Sequence, residues 1–157
     1  MQTMTKPIIK ATSTDDIASL QAVLNGTELF PSEMLPDMLA PSLAGETEAF
    51  WLTCYSDGEA VGLCYTVPEE LADGTWNMRA LAVRPDLQGK RLGAALVHAA
   101  EQHLKDKRQR LLIVDTSGSD DFASTRKFYA QNGYEEEARI RDFWAEGDDK
   151  VIFRKAL

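Results

Sequence analysis

The chain has 157 residues, of which 44% are hydrophobic and 27% charged, the proportions of an ordinary globular protein with one domain and a core of its own. Its 17 Lys and Arg against 25 Asp and Glu leave a formal charge of −8. That balance excludes a general nucleic-acid or anionic-membrane binder, so any anion site has to be local. The N-terminal MQTMTKPIIK has no apolar signal-peptide core, and no stretch reaches the ~20 apolar residues of a spanning helix, so a cytoplasmic protein is expected.

PIIKA at 7–11 reads as a short first strand. Thr14 as N-cap, with Asp15 and Asp16 in the first turn, predicts a helix to about Leu24 that Asn25-Gly26 ends. Between 27 and 45, Pro31, Pro36 and Pro41 punctuate the apolar positions Phe30, Met34, Leu35, Met38 and Leu39. One or two short helices with mobile connections are expected there, shaping a pocket or simply packing. EAFWLTCYSDGEAVGLCYTV at 48–67 is a hairpin around Asp57-Gly58. Such a turn sets Cys54 opposite Val61 and Cys64 opposite Trp51, with the thiols on opposite faces unless a bulge intervenes. With no His nearby, both cysteines read as buried small side chains, not as a disulfide, a nucleophile or a zinc site.

After the polar PEELADG at 68–74, TWNMRALAV at 75–83 is another strand. A helix follows from near Gln88 to about Lys105, with Leu92, Leu96, Ala99 and Ala100 inside. LLIVDT at 111–116 is the most apolar run and reads as a central strand; FASTRKFYAQNG at 122–133 is a helix closed by Asn132-Gly133. YEEEARIRDFW and KVIFRKAL are final strands around Glu146-Gly147-Asp148. The order β-α-α-β-β-β-α-β-α-β-β implies a mixed α/β sheet.

RPDLQGKRLG at 84–93 is a glycine-dotted basic turn between a strand and a helix. A helix start presents unpaired N–H groups and the positive end of the macrodipole. Gly89 permits close backbone approach, Gly93 permits close helix packing, and Lys90 and Arg91 add charge, so phosphate is the natural guest. Neither GxxxxGK[ST] nor GxGxxG is present.

V-x-P-x-x-Q-G-x-x-x-G at 83–93 resembles the acetyl-CoA pyrophosphate motif, Q/R-x-x-G/A-x-G/A, of the GNAT superfamily of N-acetyltransferases. TRKFYAQNGY at 125–134 is similar to that family's second signature, A-x-x-F-Y-x-x-x-G-F/Y, and the last 19 residues, RIRDFWAEGDDKVIFRKAL, resemble a bacterial branch of it. The resemblance implies one acetyl-CoA-dependent acyltransferase domain over 1–157. Its fold would be a mixed, mostly antiparallel sheet of about seven strands flanked by about four helices, splayed between strands 4 and 5. It implies direct transfer of an acetyl group from acetyl-CoA to a primary amine of a small molecule or peptide, without a metal. Gln88, Gly89, Lys90, Arg91, Leu92, Gly93 and Ala94 would grip the diphosphate, and the backbone of Leu81, Ala82 and Val83 the pantetheine. Tyr129, on a helix face shared with Phe122, Thr125 and Arg126, would protonate the leaving thiolate, which suits a tyrosine's ordinary pKa of about 10.

Arg91 stands where the motif prefers Gly or Ala, Phe122 replaces an asparagine, and Thr125 replaces an alanine. The acceptor of the amine's proton stays open. Strand four offers Asn77 and Arg79, and Glu28, Glu33, Glu69, Glu70 and Asp142 are weak candidates. His98 and His103 read as surface or structural residues; Trp51, Trp76 and Trp144 read as packing, with Trp144 able to border an acceptor pocket. A homodimer through the final hairpin or a sheet edge is an expected possibility, and the rival reading is a catalytically silent acyl-CoA-binding module.

Overall fold

The computed structural model describes residues 6–157; the first half of MQTMTKPIIK, read as having no apolar signal-peptide core, lies outside the described residues. The elements are β1 (Ile8–Ala11), α1 (Ile17–Thr27), α2 (Leu35–Leu43), β2 (Phe50–Ser56), β3 (Glu59–Pro68), β4 (Thr75–Val83), α3 (Leu92–Asp106), β5 (Leu111–Ser117), α4 (Ala123–Gln131), β6 (Glu135–Ala145) and β7 (Asp148–Ala156). Their order is the one the periodicity predicts. Among the described residues the strands form a seven-stranded mixed sheet, β1-β2-β3-β4-β5-β7-β6. The pairs β1/β2, β2/β3, β5/β7 and β6/β7 are antiparallel, while β4/β5 is parallel. That parallel ladder joins Thr75–Asn77 to Leu111–Ile113, and the strands then splay.

The chain divides into two compact units: residues up to Val67 with Ala80–His103, and Pro68–Arg79 with Leu104–Leu157. In the first, α1 and α2 press Leu20, Val23, Leu24, Leu35 and Leu39 onto Trp51, Leu63, Ala80 and Ala82, because their apolar positions recur at helical spacing. The start of α1 departs from the Thr14 expectation. A 3₁₀ turn at Thr14–Asp16 comes first, and the Ser13 N–H donates to Asp16 Oδ2 over 2.9 Å. Asp16 is buried and also accepts the Tyr55 hydroxyl at 2.7 Å. Burial, and then that carboxylate, push Tyr55 up to about 12.

Asn25-Gly26 does not end α1, which runs to Thr27 and stops at left-handed Glu28, φ 55°. A Cβ on Gly26 would lie 3.1 Å from Pro85 Cδ, so this glycine serves close packing. In the hairpin, a bulge at Cys54/Tyr55 shifts the register to Cys54↔Gly62 and Leu52↔Cys64. The thiols therefore share a face, which corrects the opposite-face expectation. Both are free and buried; burial raises Cys54 and pushes Cys64 up to about 12, which suppresses the thiolate.

In the second unit β5 pairs with β7 along its whole length, Leu111↔Ala156 through Ser117↔Lys150. One face of this pair carries buried Leu112, Val114, Val151 and Phe153. The opposite face carries Asp115 and Lys150. α4 lies on the apolar face, where the Tyr129 and Phe153 rings are 5.7 Å apart.

Candidate functional site

The anion turn belongs to the first unit. α3 starts at Leu92, so Gln88–Arg91 form an exposed turn and not the helix's first residues as predicted. Gly89 has φ 79° and Arg91 φ 66°, and this alternation of hand around Lys90 is the kind from which backbone anion nests are built. A Cβ on Gly89 would meet nothing within 4 Å, so the backbone angle, not space, demands glycine. The Ala95 N–H donates to the Arg91 carbonyl over 3.1 Å, the first α3 bond. The N–H groups of Leu92, Gly93 and Ala94 then have no acceptor inside the helix.

Arg91's left-handed backbone explains why its motif position favours a glycine. An arginine there costs roughly 1 kcal/mol. Gln88 Nε2 donates to the Val83 carbonyl at 3.1 Å and ties the turn to the end of β4. Lys90 and Arg91 are exposed, whereas Arg84 is held by Asp86 at 2.7 Å and Glu59 at 3.2 Å. Ala82, Val83 and Leu92 are buried; Leu81, Gly93 and Ala94 are half-buried.

Tyr129 belongs to the second unit. It is buried, with the Phe128 ring 5.2 Å away and the Tyr134 ring 5.8 Å away. Phe122 does not share its helix face: it ends a 3₁₀ turn, Asp120–Phe122, before α4 and is exposed. Thr125 is half-buried. Arg126, one turn before Tyr129, donates to the carbonyls of Ser117 at 2.8 Å and Ser119 at 2.7 Å, anchoring α4 to the end of β5. The sequence reading put Arg126 on the tyrosine's face and missed this role.

A polar cluster in the same unit was also missed. Asn77 is buried on β4, and its Nδ2 donates to Glu69 Oε1 at 3.1 Å and Asp115 Oδ2 at 3.2 Å. Lys150 Nζ lies 3.2 Å from the same Asp115 oxygen. Of the other acids considered, Glu28 caps α1, Glu33 and Glu70 are exposed, and Asp142 accepts the Gly147 N–H at 2.8 Å within its hairpin turn.

His98 is exposed, and the His103 ring lies 4.0 Å from that of Phe50, tilted by 38°. Trp51 is buried against Tyr65 at 4.1 Å, and Trp76 donates to Gln109 at 2.9 Å, both as packing residues. Trp144 is half-exposed and donates to the Thr116 carbonyl at 3.2 Å. Among the described residues no group of three or more His, Cys, Asp or Glu could hold a metal ion.

The family model described as "Acetyltransferase (GNAT) family" matches residues 15–134. A GNAT-family protein from Desulfovibrio desulfuricans has a similar structure: TM-score 0.86, 25% identity, covering 96% of this chain and 99% of that one. The Escherichia coli ribosomal-protein-S18-alanine N-acetyltransferase gives 0.77 at 17% identity, over 96% and 94%. The PaiA N-acetyltransferase of Thermoplasma acidophilum, crystallised with coenzyme A, gives 0.76 at 17%, over 98% and 100%. Comparison with curated proteins gives no match.

Proposed function

This chain belongs to the acetyltransferase (GNAT) family, and we propose that it transfers the acetyl group of acetyl-CoA directly to a primary amine of a small molecule or peptide. One observation carries the reading of the donor end: the exposed turn in which left-handed Gly89 and Arg91 lead into the free N–H groups of α3. Gln88, Gly89, Lys90, Arg91, Leu92, Gly93 and Ala94 would hold the diphosphate by backbone donors, helix dipole and charge. The backbone of Leu81, Ala82 and Val83, where β4 has left its partner β5, would pair with the pantetheine amides. The coenzyme A bound to the Thermoplasma relative supports the choice of donor.

The amine nitrogen attacks the thioester carbonyl carbon, the C–S bond breaks, and Tyr129 gives its hydroxyl proton to the departing sulfur. The nitrogen's surplus proton goes to solvent. Holding both reactants in one complex removes most of the entropic barrier. We read 1–157 as one acyltransferase domain, a reading supported by the span of the family match, which takes in parts of both units. No helix among the described residues is long and apolar enough to cross a membrane, and we propose a cytoplasmic enzyme. The test is acetyl-CoA with a panel of primary amines, following thiol release and acetylated product. Coenzyme A binding without transfer to any amine would favour the silent-module reading.

A further inference from the structure

Alanine holds a helix better than glycine, yet Gly26 stands inside α1, one residue before its end. A Cβ there would lie 3.1 Å from Pro85 Cδ and 3.2 Å from Pro85 Cγ, tighter than an ordinary contact. α1 cannot retreat, because Leu20, Val23 and Leu24 on its inner face are at most 1% exposed. The proline ring cannot rotate away either, since its Cδ is bonded to the backbone nitrogen. It yields only by moving the chain that bears it. That chain is the 3₁₀ turn Pro85–Leu87, whose Pro85 and Asp86 are exposed.

This turn leads straight into Gln88–Arg91. Its near end is fixed: the Arg84 N–H donates to the Val61 carbonyl over 2.8 Å, and the Arg84 guanidinium holds Glu59 at 3.2 Å and Asp86 at 2.7 Å. Its far end is tied in by the Leu87 N–H on the Arg84 carbonyl at 2.9 Å and the Gln88 N–H on the Pro85 carbonyl at 3.3 Å. A push on Pro85 therefore swings Gln88 and, one residue on, Gly89 with its φ of 79°. We infer that Gly26 is a positioning residue for the donor: its bare Cα lets α1 seat against Pro85 and so sets where Gln88–Arg91 presents its N–H groups. The inference rests on the reading of that turn as the diphosphate site and adds to it a helix outside the motif.

The test is a double-mutant cycle on the full chain, with coenzyme A affinity measured by calorimetry. Gly26→Ala should weaken binding about tenfold in the native background, and less than about twofold in Pro85→Ala, where no ring meets the added methyl. Asn25→Ala, on an exposed position of the same helix turn, gains helix propensity without a new contact and should leave the affinity unchanged. In thiol release from acetyl-CoA, Gly26→Ala should raise KM by the factor lost in affinity while kcat holds. A ratio of the two losses below about threefold overturns the inference, whatever the variants do to melting temperature, and so does a fall confined to kcat. If Gly26→Ala does not fold, Pro85→Ala against Asn25→Ala decides: the first should bind more weakly, having lost its seat on α1, and equal affinities overturn the inference. A wild type that does not bind coenzyme A sinks the donor reading and this inference together. A wild type that binds it, with variants that bind it equally well, sinks this inference alone.

Discussion

Gly89 has open space where a Cβ would stand and a backbone angle, φ 79°, that L-residues avoid. Gly89→Val should therefore cost roughly 1–2 kcal/mol of stability and, by straightening the turn, remove most of the melting shift given by coenzyme A. Gly89→Asn, which tolerates the left-handed region, should retain more of both. Tyr129→Phe keeps the ring packing against Phe153 and removes the proton donor. Turnover should fall ~10²–10⁴-fold with little change in the Michaelis constant for acetyl-CoA. A lower melting temperature with wild-type turnover would assign the hydroxyl a structural role. That Gly89 sits in a turn between β4 and α3 was legible, but the left-handed angle at Arg91 was not, since motif spacing carries no torsion. Asp115 was hidden inside the apolar LLIVDT, where only the pairing with β4 shows that it meets Asn77.

Among the elements, order was legible from periodicity, as were boundaries such as Thr75–Val83 for β4, while tertiary contacts decided others. Gly26 looked like a stop signal, yet α1 passes through it to pack on Pro85. The β2–β3 bulge, invisible in the pattern, moved both cysteines to one face. This unit should also set the alkaline limit of the fold. Cys64 and Tyr55 are raised from 9.0 and 10.0 to about 12 in the folded chain. Their contribution is thus fully present below the unfolded values and lost as pH climbs toward the folded ones. Melting temperature should fall between about pH 9 and 12, and less steeply in Tyr55→Phe; an unchanged slope contradicts that assignment. In the second unit, Arg126→Ala leaves two carbonyls without their donor and should cost ~1–3 kcal/mol by denaturant midpoint. Arg126→Lys should recover only part, because one ammonium lacks the fork that reaches both Ser117 and Ser119.

On the scale of the molecule, a chain of charge −8 repels anions in general, so binding an anionic donor depends on the local field of one turn and should weaken with added salt. The same overall charge favours the approach of a cationic acceptor. The central claim is that acetyl-CoA is the donor and that the Gly89 turn grips it. The most direct measurement is thiol release from acetyl-CoA by wild type and Gly89→Val, with a primary alkylamine as acceptor and each protein's coenzyme A affinity measured alongside. The expected result is amine-dependent release and product acetylation by the wild type. In the folded variant, the affinity for coenzyme A and kcat/KM for acetyl-CoA should fall together. Equal affinity and turnover in the two proteins, or a wild type that neither binds coenzyme A nor releases thiol, would contradict it.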